Sequence, residues 1–208
     1  GRHVEHLWKL LRELSIPHVT LLDLDYGRQH GGAAAIRNIV KKLEAFGVAF
    51  DDCKHVAAGK IALKDIGSLT DDDIDIEYDP KAAKALGTYW LEALRELDVF
   101  FSEPIDIDFS MLWEFSEAYM HANPGGHGPS DTKEIVAKRK KTTLKKTGHP
   151  EYYDESWDDL FRWYPYLFLS KSKPAAHLTA MNRIKRKDLK SPPAELGALL
   201  KRIKRYLG

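Results

Sequence analysis

Two short apolar runs in this chain each lead into a pair of aspartates separated by one residue, and this doubling restricts the folds open to it. The first is His18-Val-Thr-Leu-Leu-Asp-Leu-Asp25, followed at once by Tyr26-Gly27. The second is Val99-Phe-Phe-Ser102, which leads through Glu103-Pro-Ile to Asp106-Ile-Asp108. Side chains alternate along a strand, so positions i and i+2 share a face. Asp23 and Asp25 are therefore expected on one side, at the carboxyl end of a strand over 18–25. Open α/β sheets take their ligands at that end. Adjacent carboxylates repel, and a divalent cation is the usual relief. If the two strands are parallel neighbours, Asp23, Asp25, Asp106 and Asp108 meet at one sheet edge. Mg2+ keeps several waters and needs only one or two carboxylates. Four can then hold two ions about 3.5–4 Å apart, as in phosphodiester-cleaving centres. The alternative for Asp106 or Asp108 is a cap on the following helix.

Around these runs the pattern alternates between helix and strand, which predicts an α/β fold. Val4, Leu7, Leu11 and Leu14 mark a helix over 3–15, on one apolar stripe. A second helix over 33–46 carries Ile36, Ile39, Val40, Leu43 and Phe46 at helical spacing. Residues 50–79, crowded with Asp71, Asp72, Asp73, Asp75, Glu77 and Asp79, predict a solvated loop or short edge strand. Asp79-Pro80 reads as the start of a helix reaching Leu97. After Asp108 the chain is expected to be mostly helical, with a loop over 123–130 and a basic helix over 131–146. The aromatic stretch Trp157, Phe161, Trp163, Tyr164, Tyr166 and Phe168 reads as core in preference to a base-stacking platform. Helices over about 174–187 and 192–207 close the chain. Ser191 and Pro192 are expected to start the last one, which buries Leu196, Leu199, Leu200, Ile203 and Leu207. The expected organisation is a metal-binding domain over 1–120 and a basic helical subdomain over 121–208.

Charge is segregated along the chain although the net is only +1. Residues 51–117 carry 17 acidic and 6 basic side chains, a net of −11. Residues 160–208 carry 12 basic and 2 acidic ones, a net of +10. Residues 133–146 add 7 basic against 1 acidic. One region can gather cations and the others phosphates, unless these runs are simply solvated faces. No apolar run approaches the ~20 residues of a membrane helix, so no membrane contact is expected. Cys53 is the lone cysteine, which fits a reducing, cytoplasmic setting. The start at Gly1-Arg2 in place of Met predicts a fragment or a processed chain.

The stretch Leu21-Leu-Asp-Leu-Asp-Tyr-Gly-Arg-Gln-His-Gly-Gly32 resembles the Toprim domain of the OLD (overcoming lysogenization defect) family of nucleases. Ser102-Glu-Pro-Ile-Asp-Ile-Asp-Phe-Ser-Met-Leu112 is similar to the second acidic segment of that family. Phe168-Leu-Ser-Lys-Ser-Lys-Pro-Ala-Ala-His177 is similar to its lysine-bearing segment. The resemblance implies a Toprim-like parallel sheet flanked by helices, with an appended mostly helical subdomain. It implies Mg2+ or Mn2+ at Asp23 and Asp25, with Asp106 and Asp108 as further ligands or their supports. It makes Lys173, or alternatively Lys171, a cation that stabilises charge on the transferring phosphate, unless these are ordinary surface lysines. It also implies DNA as substrate, an amino-terminal ATPase domain in the same protein, and a homodimer at full length.

Two departures qualify what the resemblance implies. Toprim domains carry a strand ending in Glu-Gly upstream of the Asp-x-Asp helix. No such segment occurs here, and Glu5 is no substitute. No Gly-x-x-x-x-Gly-Lys-Ser/Thr phosphate loop occurs either. The isolated chain is then expected to be inactive or weakly active.

Other residues carry weaker signals. His3 and His6 could share a helix face, and Arg28 and Arg37 could meet a phosphate, though solvated side chains are the default. Gly27, Gly31 and Gly32 do not form a dinucleotide fingerprint and read as a tight turn beside the site. The functional expectation is a metal-dependent DNA endonuclease module using two ions. The alternatives are a non-catalytic DNA- or protein-binding module with a structural cation, and a hydrolase of small phosphate esters.

Overall fold

The fold comes from a computed structural model, in which residues 4–76, 85–121, 128–170 and 172–208 are described. It is mixed α/β and mostly helical, with two parallel strands among the described residues. Strand β1, Thr20–Asp23, lies beside β2, Val99–Ser102, in a register that sets Thr20 opposite Val99 and Asp23 opposite Ser102. All four residues of β2 are buried, as expected of a strand covered on both faces.

Strand β1 is shorter than the expected 18–25. It stops at Asp23 because Asp25 takes up a left-handed backbone, φ 54°. Aspartate tolerates that region better than most side chains. Backbone bonding between the two segments continues past the strands: Leu24 N–H donates to Ser102 O, Asp25 N–H to Ile105 O and Tyr26 N–H to Pro104 O, at 2.8–3.2 Å. The two acidic segments are thus stitched together along their length.

Helix α1, Val4–Glu13, packs through Trp8, whose indole N–H donates to Thr20 Oγ1 at 2.8 Å. The expected stripe is corrected here, since Leu7 and Leu14 are exposed and Trp8 is the buried residue. Helix α2, Gly32–Ala45, buries Ile36, Ile39, Val40 and Leu43 as its spacing predicts. Residues 50–76 form helix α3, Lys54–Ala57, and short 3-10 segments at Leu63–Ser68 and Asp71–Asp73. No strand forms in that stretch. Asp71 accepts from the Ala33 N–H at 2.7 Å at the start of α2, so one carboxylate of the acidic run closes a helix end. Helix α4, Leu86–Glu96, leads into β2, and the expected start at Asp79-Pro80 lies outside the described residues.

Beyond β2 come α5, Ile107–Glu114, α6, Ser116–Tyr119, and the basic α7, Lys133–Leu144. Helix α8, Asp158–Tyr164, continues as a wider turn over Pro165–Leu169. It packs on α5 and α7 and buries Trp157, Phe161, Trp163, Tyr164 and Phe168, so the aromatic stretch is core. Each such side chain contributes about 1.5–3 kcal/mol by leaving water. Side chains from Trp8 to Ala180, on both sides of position 120, share that core. Helices α9, Lys173–Met181, and α10, Ala194–Leu207, complete the chain.

Helix α10 departs from expectation. It begins at Ala194 with Pro193 before it, two residues later than Ser191-Pro192 implied. Leu199 is buried, while Leu200 and Leu207 are exposed, because only one edge of the helix meets α4 and β2. No helix among the described residues is long and apolar enough to cross a membrane.

Candidate metal centre

Leu24 sets the orientation of the first acidic pair. It is fully buried between Asp23 and Asp25, so the flanking carboxylates are turned away from the core. Asp23 closes β1 and accepts from Ser102 Oγ at 3.2 Å. Asp25 follows in its left-handed turn and accepts from Arg28 Nη1 at 2.5 Å. Gly31 allows that turn to close, since a Cβ on it would stand 1.9 Å from the Asp25 carbonyl oxygen.

Asp106 and Asp108 sit at the amino-terminal end of α5, where the helix dipole favours negative charge. Asp106 does cap the helix: its Oδ1 accepts from the Phe109 N–H at 2.9 Å. Its Oδ2 faces the opposite way, accepting from Tyr164 Oη at 2.5 Å and lying 3.5 Å from Arg28 Nη1. Arg28 thereby bridges the two acidic segments, and its Nε donates to Thr143 O on α7 at 2.9 Å. Asp108 is buried and does not cap. Its Oδ1 accepts from His177 Nε2 at 2.8 Å, and its Oδ2 pairs with Lys173. Lys173 and His177 lie four apart on α9 and so share a face. A carboxylate only accepts, which makes His177 Nε2 the donor, and the other ring nitrogen, Nδ1, is hydrogen-bonded with Tyr119 Oη at 2.6 Å.

The electrostatics show that these groups sense one another. Asp23 keeps an exposed surface, yet partial desolvation followed by the charges of Asp106 and Asp25 holds its carboxyl above the usual range. Burial alone would raise the Asp108 carboxyl, but the hydrogen bonds from His177 and Lys173 outweigh it and hold it low. The bond to Asp108 raises the Lys173 ammonium, opposed by desolvation, with the charges of Asp108, Asp106 and Asp23 adding to the rise. Lys173 therefore stays charged at neutral pH. Desolvation and the neighbouring Asp106 raise the Tyr164 phenol, so it remains a donor.

Asp23, Asp25 and Asp106 thus converge at the strand ends, with Asp108 and Lys173 alongside. Among the described residues, no three carboxylate, imidazole or thiolate groups are spaced to close on one ion as they stand. Mg2+ needs few protein ligands, so a hydrated divalent ion would be held by Asp23 with the oxygen of Asp25 that Arg28 does not engage. Asp23 has its neighbours' negative charge and no cation of its own among the side chains contacting it. Both oxygens of Asp108 are engaged, so its place is behind Lys173.

Arg28 carries more of the site than its default reading as a solvated arginine allowed. The residues missed altogether were His177, Tyr164 and Tyr119. The spacing of Asp25 to Arg28 and of Lys173 to His177 was the available signal. Arg37 bonds the Leu69 carbonyl instead of facing the site. His6 is exposed on α1, while His3 and Lys171 lie outside the described residues. No family model, curated protein or solved structure matches this chain.

Proposed function

We propose that this chain is a metal-dependent DNA endonuclease module built on a Toprim-like core. The observation that carries the reading is the convergence of Asp23, Asp25 and Asp106 at two parallel strand ends, beside a lysine held by Asp108. Bound at Asp23 and Asp25, Mg2+ or Mn2+ would polarise a phosphate oxygen and acidify a water. The protein's own part is positional. Arg28 fixes the Asp25 carboxylate, and Asp106 anchors Arg28. Asp108 and His177 hold the Lys173 ammonium where negative charge develops on a phosphate. A second ion would have to displace Lys173 from Asp108, so one ion is the state these residues serve most directly.

The test is plasmid nicking by the chain with Mn2+. Asp25→Ala is expected to abolish it. Full activity of that variant rejects the ligand assignment.

One observation favours a second reading, a binding module without catalysis. Asp25, Asp106 and Asp108 are each already matched to a cation of the chain, Arg28 or Lys173. DNA retention without cleavage in Mn2+ would support it.

A further inference from the structure

We infer that the exposed edge at the carboxyl end of α7, and not the basic end of α10, is the surface that holds a nucleic-acid backbone as it leaves the acidic centre. The inference rests on the nuclease reading and says where its polymer lies. The turn that follows Asp25 is bound to the segment ending α7 by several hydrogen bonds. Arg28 Nε donates to Thr143 O at 2.9 Å, His149 N–H to Gly27 O at 2.8 Å and Thr147 Oγ1 to Gln29 Oε1 at 2.9 Å. The end of α7 therefore borders the carboxylates directly.

The cations on α7 are divided between two tasks. Lys140 turns inward, 2.8 Å from Asp158, and Arg139 donates to the Arg162 carbonyl at 2.7 Å. Lys138, Lys141, Lys145 and Lys146 are exposed, and none of the four makes an ion pair with another described residue. Positions 138 and 141 fall on one helix face, and Lys145 and Lys146 follow directly after the last residue of the helix, Leu144. From Lys138 to the end of the helix at Leu144 the rise is roughly 9 Å at 1.5 Å per residue, about the length of three phosphates along one strand. Cations are favoured at a helix carboxyl end, so the cluster is stable there without a ligand.

Helix α10 is oriented away from this region. Arg202 Nε lies 3.2 Å from Asp98 and Tyr206 Oη donates to Asp98 at 2.5 Å. Asp98 immediately precedes β2, and its carbonyl accepts from the Thr20 N–H that opens β1. The carboxylates stand at the other end of the same strands, on the order of 10 Å further on. Lys201, Lys204 and Arg205 thus flank the wrong end of the sheet.

The test compares two sets of exposed side chains in the full chain: Lys138→Ala with Lys141→Ala, Lys145→Ala and Lys146→Ala, against Lys201→Ala with Lys204→Ala and Arg205→Ala. The probe is a 20-base-pair duplex in EDTA, titrated over a range of salt concentrations, with circular dichroism confirming each fold. The α7 set is expected to weaken binding at least ~10-fold near 0.1 M salt and to flatten the salt dependence by about three to four phosphate contacts. The α10 set is expected to change affinity by less than about twofold. Equal weakening by both sets, or weakening by the α10 set alone, overturns the inference. Nicking that depends on Asp25 in a chain whose binding ignores the α7 lysines leaves the nuclease reading standing and removes this one. A wild-type chain that binds no duplex and nicks none removes both.

Discussion

His177 donates to Asp108 at 2.8 Å across a separation of 69 residues, and its other ring nitrogen is hydrogen-bonded with Tyr119 Oη at 2.6 Å. This pair ties α9 to the start of α5, and with it the lysine one turn earlier on α9. His177→Ala leaves the Tyr119 hydroxyl without its partner and Asp108 held by Lys173 alone. Unfolding in urea should show a loss of about 1–3 kcal/mol, the range for stranding a buried polar group. His177→Gln, which can still donate, should recover part of it.

Lys173 separates a catalytic from a structural role. Lys173→Met is expected to lower nicking by roughly 100-fold or more while leaving duplex affinity within a few-fold. Lys173→Arg should restore a measurable fraction. Equal loss of affinity and rate would make the lysine a simple binding cation.

Asp106 is the most connected carboxylate in the centre. Asp106→Ala strands Tyr164, leaves Arg28 with Asp25 as its one carboxylate partner, and uncaps α5. The expected cost is about 3–5 kcal/mol, as for breaking a buried charge pair. Asp106→Asn keeps an oxygen for the cap and should cost visibly less. Chemical denaturation of the three proteins checks the order.

Gly31 is a second structural test. Its backbone is in an ordinary region, but a methyl group would meet the Asp25 carbonyl oxygen at 1.9 Å and the Asp25 Cβ at 2.8 Å. Gly31→Ala must displace the turn that presents Asp25. Destabilisation of about 2–4 kcal/mol is expected, together with loss of any Asp25-dependent activity.

Glu103 predicts a pH dependence. Burial, then the nearby Glu195, push its carboxyl from the ordinary 4.5 to about 7, although Arg95 opposes the shift. A carboxyl raised in the folded state contributes stability that is complete below its unfolded value and is lost as pH rises through the folded one. Wild-type stability should therefore fall relative to Glu103→Gln between about pH 5 and pH 8. The side chain is one quarter exposed, so solvent trims the difference to the order of 1–3 kcal/mol. Melting curves of both proteins across that window measure it, and parallel curves would contradict the assignment.

The chain's periodicities state much of the fold plainly. The apolar runs into Asp23 and Asp106 make β1 and the approach to α5, and the spacing of Ile36, Ile39, Val40 and Leu43 makes α2. Such signals are local, because strand alternation and helical repeat are set by the backbone of each element alone. The phase of a stripe was less legible. Helix α1 buries Trp8 in place of Leu7 and Leu14, and α10 leaves Leu200 and Leu207 in water. How many turns of an apolar stripe are covered depends on the neighbour it meets.

What the sequence determined by itself was that four aspartates stand near two strand ends. Tertiary packing decided which donors answer three of them and left Asp23 with Ser102 alone. Arg28 reaches Asp25 through a left-handed turn, Tyr164 reaches Asp106 from α8, and Lys173 and His177 reach Asp108 from α9. Charge pairing falls steeply with distance and with exposure to water. The partners of a carboxylate are therefore fixed only when separate elements close around it, and no spacing along the chain encodes that closure.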